Sequence, residues 1–112
     1  MSGEVRFFEV MGQDRARLQG FLGELFGWTF EGVPGVDYAL VKADGGIGGG
    51  VGAGFGGAGW TTVYVKVPSV DGAVERAVAL GGRLLMPRVV LADGMHVAVV
   101  ADPEGHAIGL SS

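Results

Sequence analysis

The chain writes one structural plan twice. Glu4 to Met11 is a strand-forming run rich in valine and phenylalanine, without glycine or proline until it ends. Asp14 follows as a helix cap, and Leu18, Phe21, Leu22 and Leu25 recur at helical spacing until Gly27. Trp28–Glu31, Tyr38–Ala43 and Ile47–Val51 are then short strand candidates. The plan restarts at Trp60–Val67, a run of β-branched and aromatic residues. Ser69 stands where Asp14 stood, an offset of about 55 residues. Val70, Val74, Ala77 and Val78 form the second helical stripe, which Gly81 and Gly82 stop. Arg83–Met86, Val89–Leu91, Met95–Ala101 and Ile108–Leu110 are the remaining strand candidates, with a turn at Asp102-Pro103-Glu104-Gly105.

A strand, a helix and several strands, stated twice, predict an α+β domain over residues 1–112. Module one covers about 1–51 and module two about 60–112. Between them residues 45–59 read GGIGGGVGAGFGGAG, ten glycines in fifteen. Ordering such a segment costs much backbone entropy, so it reads as a flexible joint. Its GAGFGG and GFGGAG match G-x-G-x-x-G by composition alone. The dinucleotide motif needs a helix next, and WTTVYVKV reads as a strand.

Composition narrows the function. The chain has 112 residues and no cysteine, which removes disulfides and thiolate chemistry. Twelve acidic residues against eight basic ones argue against nucleic acid, whose phosphates need a basic face. No apolar run approaches the roughly 20 residues of a membrane span, and MSGEVRFFEV lacks a secretory pattern. A cytoplasmic protein is expected.

Three segments carry a resemblance: FFEVMGQD leading into RLQGFLGELFGWTF, then TTVYVKVPSVDGAVERAVALGGRLLMP, then VAVVADPEGHAIGL. In this order they resemble the vicinal oxygen chelate superfamily, which holds glyoxalase I, bleomycin-resistance proteins and extradiol dioxygenases. The resemblance implies two βαβββ modules whose curved mixed sheets form a cleft, and commonly a homodimer. It also implies metal ligands on the first and last strand of each module. Those positions fall on Phe7, Gly48, Thr62 and Gly109, none with a metal-binding side chain. A cation held by histidine and carboxylate needs at least three such ligands. Accordingly no metal and no cofactor is expected.

Alternation on the strands then gives the cleft lining. With Phe7 inward, Val5, Glu9 and Met11 share its face, while Phe8 and Val10 pack against helices. The same logic turns Thr62, Tyr64 and Lys66 inward, with Trp60 at the rim. Phe7, Glu9, Trp60, Thr62 and Tyr64, joined by His96, are the candidate ligand-binding residues. An aromatic lining with one carboxylate suits a small aromatic or cationic organic ligand. The expected function is metal-independent small-molecule binding, with drug sequestration as one form of it. Two alternatives stand beside it. Glu9 acts as a metal-free general base in a glyoxalase-like lyase or isomerase, or the cleft is filled and the dimer itself is the functional object. His96 and His106 lack metal-ligand spacing and have ordinary structural roles as the bland alternative.

Overall fold

The computed structural model describes residues 2–54 and 59–112. The expected α+β architecture of two βαβββ modules is present. The first consists of β1 (Val5–Gly12), α1 (Arg15–Phe26), β2 (Thr29–Gly32), β3 (Tyr38–Lys42) and β4 (Gly48–Ala53). The second consists of β5 (Trp60–Lys66), α2 (Val70–Ala79), β6 (Arg83–Val90), β7 (His96–Ala101) and β8 (Ala107–Ser111). Among the described residues no helix is long and apolar enough to cross a membrane.

The chain divides into two compact units, one of Phe7–Thr61 and one of Thr62–Ser112 together with the N-terminal residues through Arg6. The division therefore falls inside β1 and β5 rather than in the glycine stretch. The N-terminal residues join the second unit through the backbone, where Lys66 N–H donates to the Glu4 carbonyl at 2.8 Å.

In the unit of Phe7–Thr61 the strand order is β2-β3-β4-β1. β4 runs parallel to β1 and antiparallel to β3, so it lies between them. Asp14 caps α1 by accepting from Arg17 N–H, and Gly27 ends it in the left-handed conformation at φ 72°. The helix docks through only half of the expected apolar stripe. Arg15, Leu18, Gln19, Leu22 and Gly23 are partly buried, whereas Phe21 and Leu25 are exposed. Glycine explains the rotation. A methyl group on Gly12 would meet Leu18 Cδ1 at 2.9 Å, and one on Gly23 would meet the Trp28 carbonyl at 3.2 Å. The helix sits where these bare positions admit it.

The glycine-rich stretch, expected as a joint over 45–59, is in good part ordered sheet. Residues 48–53 are β4, and Gly49 to Gly52 are buried. Aromatic rings from neighbouring strands replace the missing side chains. Phe7 lies beside Gly48, where an added methyl group would meet its ring at 3.6 Å, Phe8 covers Gly49, and Tyr38 covers Gly50 and Gly52. Residues 55–58 of that stretch, and with them parts of both G-x-G-x-x-G matches, lie outside the described residues.

In the other unit the strand order is β5-β8-β7-β6, with β5 and β8 parallel and the other pairs antiparallel. This repeats the pattern of the first module. Ser69 caps α2 by accepting from Gly72 N–H. Val70, Ala98, Val100 and Leu110 form the core, flanked by Val67, Ala73, Val74, Ala77 and Ile108. Burying a valine such as Val70 completely contributes about 1.5–3 kcal/mol. The two strand candidates around Pro87 are a single strand, β6, with register shifts on either side of Met86. Those irregularities let an edge strand accept a proline that has no N–H to donate.

Candidate functional site

Glu9 is the centre of the best-defined polar cluster. It lies on β1, is 7% exposed, and shares its face with buried Met11. Its Oε2 accepts a hydrogen bond from the Tyr38 hydroxyl at 2.8 Å, and its Oε1 accepts one from Trp60 Nε1–H at 2.9 Å. All three residues belong to the unit of Phe7–Thr61. A buried carboxylate is tolerated only when such donors compensate its lost hydration.

The strands explain how the trio assembles. Alternation on β3 turns Ala39 and Val41 into the core and leaves Tyr38 and Leu40 on the other face. Gly50 is the register partner of Glu9, and Gly52 is the partner of Tyr38. The Tyr38 ring can therefore lie across β4 and carry its hydroxyl to β1. A methyl group on Gly50 would collide with the Tyr38 hydroxyl, and one on Gly52 would press on the ring and on Met11 Sδ. Arg15 holds the start of β3 from α1. Its Nη1 donates to the Tyr38 carbonyl at 2.8 Å, and its Nε lies 3.0 Å from Asp37 Oδ1.

Of the residues expected to bind ligand, Glu9 and Trp60 are thus in direct contact, and Phe7 is half-buried beside Gly48 on the same strand as Glu9. Thr62 and Tyr64 lie in the other unit. The buried Thr62 hydroxyl donates to the Ala107 carbonyl, and the buried Tyr64 ring covers Gly109. His96 is not beside them. It stands opposite Ser112, exchanging backbone hydrogen bonds at 3.0 Å, with its Nδ1 3.1 Å from Arg88 Nη1 on edge strand β6. His106 belongs to the turn before β8. Its Nδ1 is 2.9 Å from Asp102 Oδ2. The backbone N–H of His106 holds the Asp102 carboxyl below its ordinary value, with the His106 ring and the Glu104 N–H acting in the same direction and desolvation opposing them. Sequence reasoning missed Tyr38 and Arg15. The signal for Tyr38 was the i, i+2 spacing of Gly50 and Gly52, which bares one face of β4 beside a strand that starts with an aromatic residue.

The positions that the resemblance assigns to metal ligands do not fit a cation. Phe7 and Gly48 are register partners and carry no donor atoms. Gly109 has its Cβ direction filled by the Tyr64 ring, so a carboxylate there would have to displace it. Among the described residues no three histidine, aspartate or glutamate side chains converge.

Known proteins agree with the architecture. No family model matches the chain. A stretch of 51 residues is 37% identical to CFP32 of Mycobacterium bovis, provisionally named a glyoxylase; it covers 46% of this chain but only 19% of that protein. A superfamily member from Vibrio splendidus 12B01 superposes with a TM-score of 0.65 at 14% identity, covering 98% of both chains. The hypothetical protein BH1468 of Bacillus halodurans C-125 gives 0.67 at 14% identity over 99% of this chain and 94% of its own. Methylmalonyl-CoA epimerase from Mycobacterium tuberculosis gives 0.65 at 14% identity over 96% and 85%. The chain has the fold of the glyoxalase/bleomycin resistance/dioxygenase superfamily, the vicinal oxygen chelate fold.

Proposed function

We propose that this chain is a metal-independent small-molecule-binding protein on the glyoxalase/bleomycin-resistance fold, with Glu9 as the polar anchor for an aromatic or cationic organic ligand. The observation that carries this reading is the Glu9 carboxylate, 7% exposed and held by the Tyr38 hydroxyl and the Trp60 indole. A carboxylate framed by aromatic rings attracts a flat cation through charge and through the ring faces together. The donor-poor Phe7, Gly48 and Gly109 favour binding without a metal. Sequestration of a drug-like compound by a cytoplasmic homodimer is the form in which we propose this activity.

A thermal-shift screen with flat aromatic cations tests it. A ligand present at 100 times its dissociation constant adds about 2.7 kcal/mol to stability. We expect a shift that is lost in Glu9→Gln. No shift with any such compound, or an equal shift in Glu9→Gln, overturns the reading. Light scattering tests the dimer, and a monomer at micromolar concentration counts against it.

One observation favours a second reading. Glu9 is the only buried carboxylate among the described residues, and methylmalonyl-CoA epimerase shares the fold. In that reading Glu9 moves a proton as the general base of a lyase or isomerase. Turnover that disappears in Glu9→Gln while ligand still binds would select it.

A further inference from the structure

We propose that His96, Arg88 and Asp71 form a proton-sensitive latch on β6: neutral His96 ties Arg88 to β7, and protonation of the imidazole releases the Pro87–Arg88 stretch of the strand. The latch lies within the unit of Thr62–Ser112 and does not rest on the ligand reading of Glu9.

The backbone shows where β6 needs a side-chain tie. The strand ends its sheet and pairs with β7 alone. Met86 stands opposite Val99 and Val89 opposite Val97, so Pro87 and Arg88 together face Ala98. A bulge of this kind leaves residues out of the ladder, and Pro87 has no N–H to contribute. The Arg88 side chain spans the interruption. Its Nε lies 3.2 Å from Asp71 Oδ1 on α2, and its Nη1 lies 3.1 Å from His96 Nδ1 on β7. Alternation puts His96 on the face of Ala98 and Val100, which pack with α2, so the three side chains meet on one side of the sheet.

Chemistry fixes donor and acceptor. A guanidinium carries only donors and stays charged. His96 Nδ1 must therefore offer its lone pair, with the ring proton on Nε2. A second proton would occupy that lone pair and set two cations 3.1 Å apart. The contact therefore exists for the neutral imidazole alone. The other charged groups around it are few. Asp71 pairs with Arg88, and Glu75 follows one turn along α2. Asp93, in the turn before β7, accepts from Met95 N–H. Ser112, the last residue of the sequence, exchanges backbone hydrogen bonds with His96. Arg76 lies in the last turn of α2, and Arg83 at the far end of β6 opposite Ala101. Lys66 pairs with Ser111, which stands opposite Val97 and belongs to the other face. Asp71 already engages Arg88 and keeps it when His96 lets go. The strand then loses its tie to β7 and retains its tie to α2.

Amide hydrogen exchange on the full chain tests the latch. It is read by NMR at about pH 8 and about pH 5, the limits between which histidine side chains change charge. Each rate is divided by the intrinsic rate at its own pH. Protection at Arg88, Val89 and Val90 is expected to fall about three- to fivefold on acidification, the size of an exposed charged contact. Val99 and Leu110, on the inner strands, should hold theirs. His96→Asn keeps an acceptor near the Nδ1 position and cannot titrate in this range, so its β6 protection should not respond to pH. Arg88→Met should show the low protection at both values. Long-range proton–nitrogen spectra of wild type should place the neutral ring proton on Nε2, a reading that decides the matter should the variants not fold. An Nδ1–H tautomer overturns the latch. So does a wild type without a response, a response that survives in His96→Asn or Arg88→Met, or an equal loss at Val99 and Leu110.

Discussion

The Tyr38 hydroxyl reaches Glu9 Oε2, 2.8 Å away, by crossing a strand that offers only glycine beneath the ring. β3 and β1 are not neighbours, because β4 lies between them. The contact therefore depends jointly on the hydroxyl, on the carboxylate and on the two glycines that let them meet. Each can be tested separately.

Tyr38→Phe removes one donor from the carboxylate of a residue that is only 7% exposed. Hydrogen bonds to charged groups contribute about 1.5–3 kcal/mol, and an abandoned buried acceptor also forfeits its hydration. The expected loss of unfolding free energy is about 2 kcal/mol. Urea titration should show a lower midpoint at an unchanged slope. An unchanged midpoint would mean that water or another group satisfies Oε2 equally well.

Two glycine-to-alanine substitutions should have opposite signs. At Gly50 the new methyl meets the Tyr38 hydroxyl and the ring carbon beside it, so the ring or the strand must shift. Overpacking of this kind costs about 1–3 kcal/mol. Gly20 lies in α1 with nothing within 4 Å of its would-be Cβ and without positive φ. Alanine there should stabilise by up to about 1 kcal/mol, the helix-propensity difference. Paired thermal melts would check both. Equal effects would show that the glycines of β4 are not there for the rings.

Acid should reveal Asp102. Its carboxyl titrates below the ordinary 3.8 because the backbone N–H of His106, chiefly, binds the charged form. A depressed folded-state value means that the unfolded chain binds protons first. The resulting stabilisation is complete above 3.8 and is lost as pH falls through the lower folded value. Asp102→Asn keeps an acceptor for the turn but cannot ionise. Its urea stability should therefore lose less than wild type's on going from neutral pH to below 3.8. Parallel acid limbs would contradict the assignment.

The sequence made the two modules legible because their punctuation is local. Asp14, Ser69, Gly27 and the Asp102–Gly105 turn each act within a few residues, and each has its expected place. Alternation on β1 also puts Glu9 and Met11 on one face, and both are buried. Tyr38 did not follow, because its partner lies two strands away and 29 positions apart in the chain. For a related reason the glycine stretch was legible only in part, as the strand candidate Ile47–Val51 within a run whose composition reads as a joint. Glycine's entropy cost is visible in one dimension, while the rings of Phe7, Phe8 and Tyr38 that offset it arrive from other strands. Alternation alone puts Trp60 at the rim of the lining, and its indole reaches Glu9, while His96 stands opposite Ser112.

Helix α1 gives the sharpest test of packing against periodicity. Phe21 belongs to the apolar stripe of Leu18, Phe21, Leu22 and Leu25, and a core reading of that stripe predicts a loss of about 3–5 kcal/mol for Phe21→Ala. In the structure Phe21 is 65% exposed, whereas Leu22 is partly buried on the docking face. Phe21→Ala should then cost less than about 1 kcal/mol, in the range of surface substitutions. Leu22→Ala, which leaves a gap under the helix, should cost roughly 2 kcal/mol. Urea unfolding of the two variants at the same protein concentration compares them directly. The glycines at 12 and 23 are the physical reason for this order, since they draw the helix in along Leu18 and Gly23 and turn Phe21 outward. A larger loss at Phe21 than at Leu22 would mean that the stripe, not the glycine contacts, sets the helix rotation.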